Sequence, residues 1–284
     1  MKFKTLLTIF AAAILLGACG QGKGEKKSIS IAYVNWSEGI AITHLTKVIL
    51  ENQGYEVKLM NADLAPVFAS LSRKKADVFM DTWLPVTMKD YMDQYGDKLE
   101  ELGTVYDEAR IGLVVPDYVT ANSIEELNKY KTKFDKKIVG IDAGAGIMRA
   151  TDKAIKEYKL DFELQTSSGP AMTASLKKAI DQKEWVVVTG WTPHWMFNRF
   201  NLKILKDPKG IYGEKEKLEV IAWKGFAEQN PKVAEILKKI KLSNEEISSL
   251  MAEIENSATN EEDAVKGWIK ENQSLVDSWT NEEK

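Results

Sequence analysis

The chain holds eight tryptophans against two histidines and one cysteine, so indole faces carry most of the chemistry open to it. Three of the eight share a setting. Trp36 follows an apolar run at residues 29–34, Trp83 opens Trp-Leu-Pro after a run at 78–80, and Trp191 opens Trp-Thr-Pro after a run at 185–188. In open α/β sheets ligands lie beyond the carboxyl ends of the strands, and these three rings are expected to gather there. A quaternary ammonium has no N–H to satisfy, and each desolvated indole face attracts it by about 2 kcal/mol. A primary ammonium brings three donors, and each one left unmade costs roughly 1 to 3 kcal/mol. A cage of indoles thus selects methylated cations by what it lacks.

Three rings supply on the order of 6 kcal/mol, whereas micromolar binding needs about 8, so a second anchor is required. Gly144-Ala145-Gly146-Ile147 offers one, a glycine-rich loop running into a helix whose first amides can hold a carboxylate. The N–H groups of Gly146 and Ile147 would each donate to one oxygen. A dinucleotide loop is excluded because the third glycine of G-x-G-x-x-G falls at Arg149. Glu38 and Asp81 stand near the caging tryptophans and would suit choline or carnitine, by offsetting charge or binding a hydroxyl. Zwitterionic betaine needs no such acid.

These residues need elements that bring them together. Short β-rich runs alternate with helical patterns, as in parallel sheets flanked by helices. The first half reads strand 29–34, helix 39–52, strand 55–60, helix 65–73 and strand 78–80. The second half repeats that order: strand 138–141, helix from 146 to about 158, strand 162–165, helix from 172, strand 185–188. Ala-Ser-Leu precedes both Trp-x-Pro motifs, at 69–71 and 174–176. Runs at 111–115 and 218–223 are placed to be the two crossovers of a hinge. The expected fold is α/β and two-lobed, with residues 28–115 and 216–284 in lobe one and 116–215 in lobe two. Ser243-Asn-Glu-Glu246 and Thr259-Asn-Glu-Glu262 have capping-box spacing, which predicts two closing helices with Trp268 and Trp279 as structural residues. Trp185 and Trp223, inside strand-like runs, are read as core.

Lys2 and Lys4 precede an apolar run at residues 6–16, too short for the ~20 residues that span a bilayer and suited to an export signal. Leu16-Gly17-Ala18-Cys19 resembles a bacterial lipobox, which makes residues 1–18 a removed signal, Cys19 the lipidated residue and 19–27 a Gly- and Lys-rich flexible tether. Acidic residues outnumber basic ones, 42 to 39, and loss of the leader widens the gap. Nucleic acid is therefore not the expected partner. Neither histidine belongs to a nucleophile motif and no Cys/His cluster can hold zinc, so neither enzyme, metal nor cofactor is expected.

Residues 190–195 (Gly-Trp-Thr-Pro-His-Trp), 140–148 (Gly-Ile-Asp-Ala-Gly-Ala-Gly-Ile-Met) and 32–36 (Ala-Tyr-Val-Asn-Trp) resemble the glycine betaine substrate-binding proteins of bacterial ABC transporters. The resemblance implies a periplasmic-binding-protein fold, type II-like, in which Trp36, Trp83 and Trp191 box the trimethylammonium and the backbone of Gly146 and Ile147 receives the carboxylate. It also implies delivery to a permease driven by a cytoplasmic ATPase, from an extracytoplasmic, lipid-anchored monomer. Some relatives carry a carboxylate-binding histidine where this chain has Met88, which cannot donate a hydrogen bond. His194, Met88, Glu38 and Asp81 are the second-rank candidates for ligand contact.

Overall fold

The computed structural model describes residues 27–281; the expected signal, Cys19 and most of the tether lie outside them. Ile29 and Ile31 alternate into the core from β1 (Ser28–Tyr33), and Ala41, Ile42, Leu45, Val48 and Ile49 form the buried face of α1 (Ser37–Asn52). The spacing of two in the strand and of three or four in the helix places both sets against one layer. The chain continues through β2 (Glu56–Asn61), α2 (Leu64–Ser72), β3 (Val78–Leu84) and α3 (Lys89–Tyr95) to the 18-residue β4 (Leu99–Pro116). The second lobe comprises β5 (Lys137–Val139), α4 (Gly146–Glu157), β6 (Glu163–Gln165), α5 (Gly169–Gln182), β7 (Val188–Thr192), α6 (Met196–Arg199) and β8 (Leu202–Ile204). After β9 (Glu216–Trp223) come α7 (Phe226–Gln229), α8 (Pro231–Lys239), α9 (Asn244–Asn256), α10 (Glu261–Glu271) and α11 (Gln273–Thr280).

The strand order β2-β1-β3-β9-β4-β7-β5-β6 shows the repeat directly. In each lobe the first strand of the unit lies between the second and third and pairs with both in parallel. Two antiparallel crossovers, β9 and β4, join the lobes. β4 pairs with β9 as far as Ala109 and with β7 from Arg110 onward, so one strand belongs to both lobes. Its ladder with β9 shifts register three times between Glu101 and Ala109. α9 and α10 pack on α1 and return the chain to the first lobe. Among the described residues, no helix is long and apolar enough to cross a membrane.

Some expectations shift in detail. The last strand of the second unit starts at Val188 instead of 185, because β4 offers partners only to Val188–Thr192. Trp185 consequently sits outside the strand, 5.2 Å from both the Tyr130 and Phe134 rings. Trp83 and Trp191 lie within β3 and β7, each one residue before the strand ends, instead of beyond it; Trp36 alone follows its strand. Ser243 makes the expected reciprocal capping box with Glu246. The cap of α10 is Asn260, not Thr259: the Asn260 side chain accepts from the Asp263 N–H at 2.9 Å, while the Thr259 hydroxyl pairs with Ser257. Asparagine caps at least as well as threonine, and the register moves by one. Trp268 and Trp279 are buried among the closing helices, as expected.

Candidate functional site

Trp36 is the N-cap residue of α1, in extended conformation, which turns its ring away from the helix and toward the second lobe. Its indole N–H donates across the cleft to Asp142 Oδ2 at 3.2 Å. Trp83 donates within its own strand to Asp81 Oδ1 at 3.0 Å. Trp191, from the second lobe, donates back to Glu38 Oε2 at 2.7 Å. All three indoles thus give their one polar atom to a carboxylate, which fixes their orientation and frees the carbon faces. Those faces line a pocket where the two lobes meet, together with Ile111, Ile141 and Ala145. The lining is largely apolar and suits an apolar guest.

Gly146 and Ile147 complete the wall opposite, as the first two residues of α4. A helix start leaves its first amides without intrahelical acceptors, and Ala145 at the N-cap has no side chain to satisfy them. Helices α5, α9 and α10 carry side-chain caps at Ser168, Ser243 and Asn260. The other helices, α1 and α4 among them, carry none, and what sets α4 apart is that its first two residues line the cavity. The residues that carry the first amides of α4 thus stand on the wall of the same cavity as the indoles.

The cleft is shut. A methyl group at Gly146 would lie 2.1 Å from the Thr87 carbonyl oxygen, so the lobes meet backbone to backbone. Thr87 is held rigidly: buried Glu216 of β9 accepts from the N–H groups of Val86 at 2.9 Å and Thr87 at 2.8 Å and from the Thr87 hydroxyl. Beside this contact Arg149 bridges the lobes, donating to Thr87 O at 3.0 Å and pairing with Asp90 at 3.1 Å. Tyr91 adds a hydroxyl bond to Gly144 O at 3.2 Å. Arg149 and Asp90 are well exposed, so their ion pair adds at most about 1 kcal/mol.

Of the second-rank candidates, Glu38 lines the cavity and Asp81 lies behind Trp83. Two do not reach the ligand space. Met88 is fully buried and its sulfur accepts the Trp83 backbone N–H at 3.4 Å, so it braces the strand that carries the indole. His194 Nδ1 accepts the Met196 N–H at 3.1 Å, and its ring packs edge-on to Trp191 at 4.8 Å. Burial pushes its imidazole down to about 3, so it stays neutral and structural. Thr87, Ile111, Ile141 and Ala145 also line the cavity and escaped the sequence reading, as did Asp142. Asp142 lay inside the residue 140–148 motif, so a search for acids that could take an indole N–H would have found it.

Glu38 and Asp81 are both fully buried. Burial pushes Glu38 up to about 7 against its ordinary 4.5, with the Trp191 bond, its own amide and Trp83 pulling the other way. Asp81 is also raised well above the usual range, by burial and then by the Glu38 charge. A raised acid stabilises the fold fully below its unfolded value and loses that contribution as pH climbs to its folded value. The closed form should therefore lose stability on this account between pH 4.5 and about 7, by on the order of 3 kcal/mol. Glu38→Gln is expected to flatten that descent in urea unfolding at pH 5 and pH 7; an unchanged slope would show that Glu38 ionises freely.

Residues 27–271 match the family described as the substrate binding domain of ABC-type glycine betaine transport system. The glycine betaine/carnitine transport binding protein GbuC of Listeria monocytogenes is 49% identical over 147 residues, which cover 51% of this chain and 49% of that protein, about half its length. Lactococcal OpuAC in its closed-liganded conformation with glycine betaine superposes at a TM-score of 0.85 with 36% identity, covering 90% of this chain and all of the other. The glycine betaine/L-proline-binding protein ProX of Borrelia burgdorferi gives a TM-score of 0.86 at 32% identity, over 90% of this chain and 97% of its own. With three indoles at the junction of two lobes and a match across most of its length, the chain belongs to the substrate-binding domains of ABC-type glycine betaine transport systems.

Proposed function

We propose that this protein captures glycine betaine, with Trp36, Trp83 and Trp191 around the trimethylammonium and the Gly146 and Ile147 amides on the carboxylate. The observation that carries the reading is the uncapped start of α4 on the wall of a cavity lined by three oriented indoles. A zwitterion matches both ends at once: delocalised positive charge on ring faces, carboxylate on helix amides. The shut cleft supports a mechanism in which closure completes the cage from both lobes. The lobes are residues 28–115 with 216–284, and 116–215. The protein acts outside the cytoplasm as a monomer, anchored through lipid on Cys19, and passes its ligand unchanged to a permease driven by an ATPase.

Choline or carnitine is the second reading, and Glu38 favours it, as an acid on the cavity wall. Calorimetric titration with glycine betaine, proline betaine, carnitine and choline at neutral pH separates the two. Glycine betaine is expected to bind tightest, in the micromolar range or below, near −8 kcal/mol or better. Choline binding more tightly than glycine betaine would overturn the assignment.

A further inference from the structure

Glu38 is the one titratable side chain on the cavity wall among the described residues. Its Oε2 receives the Trp191 indole, but no group among the described residues donates to Oε1. Asp81 repeats the pattern: Oδ1 receives Trp83, and Oδ2 receives nothing. Asp81 Oδ2 lies against the backbone next in chain to Glu38, 2.8 Å from where a methyl on Gly39 would sit, and the Glu38 charge reaches it. Among the described residues, no basic group pairs with either. β7 brings the uncharged Trp191, α9 meets the start of α1 through Met251 against Ser37, and α4 contributes the uncharged Gly146 and Ile147. Glu261 and Glu262 of α10 act on His44 and Lys47 further along α1, and Arg149 is engaged by Asp90 and Thr87. Two adjacent buried acids without a cation cannot both be ionised cheaply, so the pair retains a proton at neutral pH.

We propose that Glu38 and Asp81 form a proton-holding pair that lets one cage accept two charge types, staying protonated around a zwitterion and releasing a proton when a cation without its own carboxylate enters. The inference rests on the reading of the indole cavity as the ligand site. A betaine carries its own counter-charge to α4, so the pair gains little from ionising. A quaternary ammonium lacking that charge leaves the cavity with a net positive charge, which the ionised pair neutralises; the proton passes to solvent. By linkage, the number of protons released equals the slope of log affinity against pH. Burial has raised Glu38 to about 7, so the slope lies below neutrality and vanishes above it.

The test is calorimetry on the full chain with tetramethylammonium and with glycine betaine, between about pH 5.5 and 8.5, with the acid end run in both phosphate and MES, whose ionisation heats differ. Tetramethylammonium should release close to one proton at the acid end, and its affinity should rise about tenfold per pH unit before levelling near 7. Glycine betaine should release almost none and show a flat profile. In Glu38→Gln the rise for tetramethylammonium should disappear, with weaker binding, and the glycine betaine profile should stay flat across the same range. Asp81→Asn, which keeps an acceptor for Trp83 and resembles the protonated acid, should leave the rise in place. Tetramethylammonium binding with no proton release and a flat profile would overturn the proposal while leaving the site reading intact. If neither ligand bound, both would fall together.

Discussion

Gly146→Ala is expected to abolish tight binding while leaving the ligand-free fold intact. The added carbon would lie 2.1 Å from the Thr87 carbonyl oxygen and 2.8 Å from its carbonyl carbon, both inside contact distance. The obstruction is backbone, and Glu216 holds that backbone through three hydrogen bonds, so neither side can yield by a rotamer change. The lobes must stand about 1 Å or more apart, and a cage drawn from both lobes is then never complete. A loss of at least about 100-fold in affinity follows, or roughly 3 kcal/mol. Alanine is at ease in the first turn of a helix and stiffens the unfolded chain, by about 0.4–1 kcal/mol. The ligand-free melting temperature should therefore hold or rise slightly. Small-angle scattering separates this from general damage: the wild type should contract on adding glycine betaine and the variant should not. Wild-type affinity in Gly146→Ala would show that tight binding does not require the lobes to meet at Thr87.

Trp191→Ala should cost more in binding than either single term suggests. One desolvated cation–π contact is lost, about 2 kcal/mol. Glu38 Oε2 also loses its donor, which adds roughly 1 to 3 kcal/mol for a buried acceptor. The sum, on the order of 4 kcal/mol, is about a thousandfold in affinity. Trp191→Phe keeps an aromatic face and loses only the N–H, so its loss should fall between wild type and alanine. The ligand-free protein will not be untouched, because Trp191 is 3% exposed and packs on His194. Its Glu38 contact crosses the cleft and opens with the lobes, so the loss should stay below the roughly 3–5 kcal/mol of a full core Trp→Ala. Urea unfolding of the ligand-free variant measures that part, and titration measures the rest. Binding within tenfold of wild type would remove Trp191 from the cage.

The order of elements was legible because hydrophobic periodicity and the Trp-x-Pro motif occur twice, and chance seldom repeats both. Ile29 and Ile31 in β1 and the i, i+3, i+4 face of α1 signal their own burial. The three indoles were legible as a group, since their distance from strand ends is a local property of sequence. Contacts across the cleft were not. Glu38 meeting Trp191, and Asp142 meeting Trp36, are separated by 153 and 106 residues, and no local pattern encodes such pairs. Thr87 and Glu216 illustrate the same limit, since their roles exist only once β9 lies beside β3. Met88 and His194 stayed open candidates for another reason. Position along the chain put them near the cage, but which face of the backbone each occupies was decided by Trp83 N–H and Met196 N–H, two donors that needed acceptors.

The spine of the molecule bears on how long a ligand stays. β4 breaks register with β9 three times in the residues just before it changes sheets at Arg110. Bulges of that kind loosen a ladder and concentrate twist, so torsional compliance is gathered in one short stretch while both lobes remain stiff. Amides there should exchange with solvent deuterium faster than those of β1 or β3, whether or not the cleft is filled. Swinging the lobes apart then requires little elastic work. Residence time is governed by the seam at Gly146 and Thr87 and by the caged guest itself, as with a door whose latch, not its hinge, resists the hand.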